Sequence, residues 1–109
     1  MDKQIKEDLE LIKESVLANV QAEAIYLFGS HVYGTPNKDS DIDIYVVVPN
    51  DTENMAKLYG AILGSISSKK KFVLVDLQTE YSGVFHRRKN APTLERTIAQ
   101  KGMILYGGL

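Results

Sequence analysis

The sequence predicts an α+β protein, an α/β sandwich in which a small mixed β-sheet has helices packed mainly on one side. Three observations predict it. Two segments repeat apolar residues at helical spacing, short apolar runs rich in β-branched residues lie between them, and the two kinds of segment alternate. Because 109 residues can bury one core, we expect a single domain over residues 1–109.

The first half of the chain predicts a helix, a strand, a connection and a second strand. The helix covers about residues 2–19, since apolar residues spaced by three and four positions share one face. These residues are Ile5, Leu9, Ile12, Val16 and Val20. Residues 24–28 form a short apolar strand that ends at Gly29. Residues 29–40 are rich in glycine and small polar residues and predict a turn-rich connection, and residues 41–48 predict a strand.

The second half predicts a helix, a strand, a helical region and a short closing segment. Residues 49–52 break the preceding strand and offer a helix N-cap. A helix follows through residues 55–66, and residues 71–77 predict a third strand. Residues 81–101 look helical with a break near Pro92, and residues 103–106 close the chain.

Composition and charge exclude several classes of protein. The chain has no cysteine, which excludes a disulfide framework and thiolate chemistry. It has only two histidines. It has no apolar run long enough to span a bilayer and no signal-peptide pattern, so we expect a soluble, cytoplasmic protein. The net charge is −1, so nucleic acid is not expected as a tight partner. Basic runs at residues 69–71 and 86–89 indicate solvated faces or, alternatively, phosphate contacts.

Three aspartates are the candidate catalytic and metal-binding residues. Asp41 and Asp43 alternate on a predicted strand, so both carboxylates leave one face. Two like charges there are either solvated at an exposed strand end or bridged by a hard cation such as Mg²⁺. Asp76 lies near the C-terminal end of the next predicted strand. It is either a simple strand-end carboxylate or the third ligand of a two-metal site.

Gly29 and Ser30 are candidate phosphate-binding residues, because they follow a buried strand at a strand-to-turn junction. Glycine lets the backbone approach a phosphate closely, and N–H groups at a helix start favour an anion. A Gly-Ser pair also occurs in plain turns. Only one short connection joins this pair to Asp41 and Asp43, so both groups can face one cleft.

The residues GSHVYG at 29–34 and SDIDI at 40–44 resemble the GSxxxG…SDxD signature of the DNA polymerase β-like nucleotidyltransferases. The short chain and the later Asp76 make it look like a minimal nucleotidyltransferase (MNT) domain with the nucleotidyltransferase fold. The resemblance implies that Gly29 and Ser30 bind the nucleoside triphosphate, and that Asp41, Asp43 and Asp76 are catalytic and bind two Mg²⁺ ions, which Mn²⁺ can replace.

The resemblance also implies an activity and a partner. Attack of an acceptor hydroxyl on the α-phosphate of ATP or another NTP would transfer a nucleoside monophosphate and release pyrophosphate. Similar MNT proteins act as antitoxins of helical HEPN-type toxins and can nucleotidylate a tyrosine of the toxin. Two functions therefore stand: an active nucleotidyltransferase that modifies a partner protein, and a non-catalytic antitoxin or regulatory subunit that occludes a HEPN-type toxin.

Three residues around the motif are assigned less directly. His31 stands where many relatives have arginine, and a neutral imidazole does not replace a guanidinium clamp on phosphate. His31 is therefore interpreted as a loop histidine, with participation in the site as the alternative. Tyr33 either stacks on a base or covers the cleft. Asp39 is interpreted as a turn residue outside the metal-binding pair.

Overall fold

A computed structural model describes residues 1–37 and 40–108, so the interpretation of Asp39 lies outside the described residues. Its elements, in chain order, are α1 (Lys3–Leu17), β1 (Ala24–Phe28), α2 (Ser30–Tyr33), β2 (Ile42–Val48), α3 (Met55–Lys69), β3 (Val75–Tyr81), α4 (Ser82–Arg88), α5 (Leu94–Lys101) and β4 (Met103–Gly107). They form the mixed sheet and α+β arrangement that the sequence predicts.

The four strands form one sheet in the order β3-β2-β1-β4. The central strand β1 pairs antiparallel with both β2 and β4, whereas β2 pairs parallel with β3. Every residue of β1 is buried, which agrees with its continuous apolar sequence and its position between two strands. The end of β1 therefore lies at the same end of the sheet as the beginnings of β2 and β3.

Two apolar clusters cover the two faces of the sheet. The two long helices, α1 and α3, pack on one face against Ile25, Leu27 and Ile44. On the other face Phe85 of α4 and Ile98 of α5 pack against the alternate strand residues, including Tyr26 and Tyr45. The long helices lie on one side as the sequence predicts, and the two short helices add a cover to the second side.

Helix caps explain where the long helices begin. The side chain of Asp2 accepts a hydrogen bond from Ile5 N at 2.8 Å and starts α1. The Asn54 side chain accepts one from Lys57 N at 3.1 Å and starts α3. The predicted N-cap within residues 49–52 is therefore wrong. An N-cap residue must directly precede the first turn of its helix. Asn54 directly precedes Met55, whereas the predicted segment ends two residues earlier, at Thr52.

Two other boundaries differ from the prediction. Ser30–Tyr33 form a short helix inside the segment predicted as turns, in which Val32 N and Tyr33 N donate to the Gly29 carbonyl oxygen at 3.0 and 3.1 Å. The third strand covers Val75–Tyr81 instead of residues 71–77, since its start is fixed by parallel pairing of Val75 with Ile42. Asp76 therefore lies near the beginning of β3 and not near its C-terminal end. Within residues 1–37 and 40–108, no helix is long and apolar enough to cross a membrane.

Candidate active site at one end of the sheet

The candidate site lies where β1 ends and β2 and β3 begin. Phe28, the last residue of β1, is opposite Asp43 in the antiparallel pair, so the chain enters Gly29 beside the carboxylate. Asp43 is also in register with Asp76 across the parallel pair. Asp41 immediately precedes β2 and is exposed, one residue short of its predicted strand position. Strand register alone thus places Asp43 between Gly29 and Asp76.

Gly29 and Asp43 pack against each other so closely that no side chain fits at position 29. A Cβ atom built on Gly29 would overlap Asp43 Oδ2 and lie 2.9 Å from Asp43 Cγ. The backbone of Gly29 has φ +77° and ψ −151°, a region that is essentially restricted to glycine. Glycine is therefore required at this position both by its own backbone and by the neighbouring carboxylate.

Burial and neighbouring negative charges together raise the pKa of Asp43. Burial is the largest cause, followed by the charges of Asp76 and Asp41 and by hydrogen bonding to Asp76, while His31 acts in the opposite direction. A carboxylate whose ionised form is disfavoured by burial and by two like charges is stabilised by any cation that comes between them. The electrostatics of the pair therefore fit a divalent cation.

The chemistry of the donor set also fits magnesium. Carboxylate oxygens are hard ligands, and Mg²⁺ in proteins takes one or two of them and completes its shell with water or phosphate oxygens. Among the side chains that the structure describes, no group of three or more His, Cys, Asp or Glu is arranged to hold a metal ion. Asp43 and Asp76 are the adjoining pair, and Asp41 lies beside them at the surface.

His31 and Ser30 lie on α2 at the edge of this site. His31 Nε2 is 3.3 Å from the carbonyl oxygen of Ser40, the residue that precedes Asp41. This contact links α2 to the start of β2, so His31 is a helical residue beside the carboxylates and not a loop residue. Ser30 begins α2 directly after Gly29, and Tyr33, at the end of α2, is 47% exposed.

One buried carboxylate that sequence reasoning missed supports the strand carrying Asp43. Glu95 of α5 accepts hydrogen bonds from Tyr45 Oη at 3.0 Å and from Arg88 Nε at 2.9 Å, and it is 7% exposed. Tyr45 follows Asp43 by two residues on the same face of β2. The available signal was a charged residue three positions before Ile98, on the buried face of a short amphipathic helix.

Comparison with known proteins agrees with this architecture. The family model described as polymerase beta, nucleotidyltransferase, matches residues 10–107. No curated protein sequence matches the chain.

Three solved structures share the fold. One, a toxin-antitoxin structure with AMP-PNP, is 24% identical with a TM-score of 0.61, over 91% of this chain and 73% of that chain. A protein assigned as a nucleotidyltransferase from Sulfolobus solfataricus is 19% identical with a TM-score of 0.59, over 98% and 89%. The third contains a tri-AMPylated HEPN toxin from Shewanella oneidensis with its MNT antitoxin, at 23% identity and a TM-score of 0.57, over 94% and 71%. With a family model matched from residue 10 to residue 107, the chain belongs to the polymerase beta nucleotidyltransferase family.

Proposed function

We propose that residues 1–109 act as a single minimal nucleotidyltransferase domain in the cytoplasm. It transfers a nucleoside monophosphate, AMP from ATP as the first choice, to a hydroxyl group on a partner protein. The observation that carries the proposal is the register of Asp43 with Asp76 beside the bare backbone of Gly29. Family membership and a fold shared with a toxin-antitoxin structure holding AMP-PNP support the choice of nucleotide.

The residues divide the work of an in-line displacement. Gly29 and Ser30 bind the phosphates that leave as pyrophosphate, while Asp41, Asp43 and Asp76 would hold two divalent cations. Such cations, when bound, supply charge neutralisation at both the attacking and the leaving oxygen. Asp76 accepts the proton of the acceptor hydroxyl. The new bond joins that oxygen to the α-phosphorus, and the bond between the α-phosphorus and the bridging oxygen breaks.

The partner we propose is a helical protein of the HEPN type. Two structures that share this fold contain toxin-antitoxin proteins, one of them with an AMPylated HEPN toxin. The chain would then act as an antitoxin by modifying its toxin.

A second candidate function is occlusion of that toxin without catalysis. It is favoured by one observation: the described side chains contain no ready group of three metal ligands. Neutralisation of the toxin by the Asp43→Ala variant would favour occlusion, whereas loss of neutralisation would favour catalysis.

Transfer of label tests the proposal. ATP labelled at the α-phosphate is incubated with Mg²⁺ and a lysate of the source organism, together with wild type or the Asp41→Ala/Asp43→Ala double variant. We expect a labelled protein band with wild type alone. Asp51→Ala is the matched control, because Asp51 is an exposed aspartate in the turn after β2. A band that persists with the double variant, or no band with wild type, contradicts transfer by these residues.

A further inference from the structure

Phe72 is an exposed aromatic residue held in a backbone conformation that suits glycine. Its side chain is 94% exposed, more than any other large apolar side chain in the described residues, and its φ is +68°. Bulky residues rarely adopt positive φ, because the side chain then crowds the backbone. An exposed ring gives no burial in return, so the folded chain alone gives no reason for phenylalanine here.

Phe72 and its neighbour Leu74 lie beside the aspartates. Leu74, which is 55% exposed, directly precedes β3, and its carbonyl accepts a hydrogen bond from Ile42 N at 2.8 Å. Phe72 and Leu74 also line a small groove together with Ser40 and Ile42, the residues on either side of Asp41, and with Ile5 and Asp8 of α1. These two side chains, the Phe72–Leu74 pair, are therefore an apolar surface at the aspartate end of the sheet.

The geometry of in-line displacement indicates which substrate would contact this surface. The leaving pyrophosphate and the attacking hydroxyl lie on opposite sides of the reacting phosphorus. Gly29 and Ser30, at the end of β1, would hold the leaving group. Across the sheet the strand order then places Asp43 on β2 and Asp76 on β3. The attacking hydroxyl would therefore arrive from the β3 side, where the Phe72–Leu74 pair lies.

The charges around the pair indicate the chemistry of the acceptor. Lys71, the residue before Phe72, and Lys69, the last residue of α3, are exposed, while Lys70 is bound to Asp8 with Nζ 2.8 Å from Oδ1. A segment that lies on Phe72 and Leu74 thus meets apolar surface in the middle and positive charge at its side. An acidic segment with an apolar residue complements both features.

We propose that the Phe72–Leu74 pair binds the acceptor, a protein segment in which the accepting hydroxyl lies next to an apolar residue and to acidic residues. This inference rests on the proposed function and adds the class of acceptor to it. A protein is favoured over RNA because Leu74 offers an aliphatic contact and the chain carries a net charge of −1.

Designed peptides test the inference. One peptide has a single tyrosine between leucine and glutamate residues; in the matched peptide serine replaces leucine and lysine replaces glutamate. An oligoadenylate with a free 3′-hydroxyl is the third acceptor. With labelled ATP and Mg²⁺, we expect wild type to modify the first peptide with a kcat/KM about tenfold above that of the second. The oligoadenylate stays unlabelled.

Substitutions at position 72 separate contact from folding. Phe72→Leu keeps the apolar contact and most of the activity, whereas Phe72→Ala and Phe72→Gly raise KM for the peptide by about tenfold. ATP affinity stays unchanged. Phe72→Gly melts no lower than wild type because glycine accepts positive φ, so its lost activity is not lost folding. Tyr59→Ala, which removes a partly exposed aromatic on α3, is the control and leaves KM unchanged.

Four results would overturn the inference. Full activity of Phe72→Ala on the peptide shows that the ring does not meet the acceptor. A fall in ATP affinity places the ring on the nucleotide. If wild type labels the oligoadenylate and both Phe72→Leu and Phe72→Ala lose that labelling, the aromatic ring stacks on a base and the acceptor is RNA. If neither peptide is labelled but the lysate band appears and depends on Asp41 and Asp43, this inference fails and the proposed function stands. If the lysate band is absent as well, the inference and the proposed function both fail.

Discussion

At the scale of single residues, the candidate site depends on one glycine that cannot carry a side chain while the aspartate beside it is present. Gly29 has a φ of +77°, and the carboxylate of Asp43 packs directly against its backbone. Asp43 in turn holds a carboxylate whose ionisation is disfavoured by burial and by Asp76 and Asp41. The ionised Asp43 carboxylate therefore costs folding stability, which a cation bound beside it would offset.

Alanine at position 29 should damage both folding and activity. A side chain there is strained by about 1–3 kcal/mol and overlaps the Asp43 carboxylate, so we expect Gly29→Ala to melt several degrees lower and to lose transfer. Thermal melting and label transfer check this. Gly60→Ala is the control, because a Cβ at Gly60 meets nothing within 4 Å; it should be neutral or slightly stabilising. Equal behaviour of the two variants would contradict the packing described for Gly29.

Removing the charge of Asp43 should stabilise the protein while it abolishes transfer. The pKa of Asp43 is raised, so its ionised form costs stability above the folded pKa and costs none below the unfolded value of about 4. We expect Asp43→Asn to melt about 2–4 °C higher at neutral pH, with the difference vanishing as the pH falls below 4. Millimolar Mg²⁺ should raise the melting temperature of wild type but not of Asp43→Asn. Asp51→Asn serves as the control, and a lower melting temperature for Asp43→Asn would be the opposite result.

The sequence names candidate site residues, but it does not predict how the structure arranges them. The GSxxxG and SDxD spacings name Gly29, Ser30, Asp41 and Asp43 because each needs a particular residue type. The overlap of Gly29 with Asp43 and the positive φ of Phe72 depend on tertiary packing and turn geometry. No local pattern predicts them.

At the scale of elements, α4 and α5 are tied to β2 by a single carboxylate. Glu95 on α5 receives hydrogen bonds from Tyr45 on β2 and from Arg88 on α4. Burial raises the pKa of Glu95, but the hydrogen bonds from Arg88, from the backbone and from Tyr45 together lower it below its ordinary value. Burial raises the pKa of Tyr45, which therefore stays a hydrogen-bond donor.

The hydrogen bonds of Glu95 should make the free energy of unfolding depend on pH in the acid range. Because the folded pKa of Glu95 is lowered, its contribution is present above the unfolded value of 4.5 and is lost as the pH falls through the folded pKa. We expect Glu95→Gln to lose about 1–3 kcal/mol in urea unfolding at neutral pH, and to approach wild type at acid pH. Glu10→Gln, at an exposed pair with Lys13, should change stability by less than about 0.5 kcal/mol. A constant difference at every pH would contradict the role of the charge.

Elements with strong periodicity could be predicted, and elements set by pairing could not. The apolar stripe of α1 and the β-branched run of β2 fix their own conformations. Residues 72–74 are apolar but form the turn and entry to β3, whereas the strand itself, Val75–Tyr81, is mostly polar. An edge strand is half exposed, so its alternation is weak and its bounds depend on its partner β2.

At the scale of the whole molecule, the two edges of the sheet differ in charge. The β3 edge carries Asp76 and Glu80, and charges of this kind discourage pairing with another strand. The β4 edge has the sequence MILYG, without a charge, and Ile104 is 52% exposed. The molecule therefore has one protected edge, next to the candidate site, and one open apolar edge on the opposite side.

A charge on the open edge should reduce self-association. We expect Ile104→Lys to keep its stability to within about 0.5 kcal/mol and to scatter less light at high protein concentration. Leu94→Lys replaces an equally apolar, partly exposed residue on α5 and should leave the scattering unchanged. If both substitutions reduce scattering alike, general surface hydrophobicity and not the strand edge is responsible.

The contact between Gly29 and Asp43 also affects the order in which the two residues can be replaced during evolution. Exchange of Asp43 for a smaller residue removes the carboxylate that a side chain at position 29 would overlap, and leaves only the backbone angle to favour glycine. Exchange of Gly29 first would displace the carboxylate on which the proposed reaction depends. If the proposed site is lost by single substitutions, Asp43 should therefore be replaced before Gly29, and related sequences that retain Gly29 without Asp43 should outnumber those with the reverse pattern.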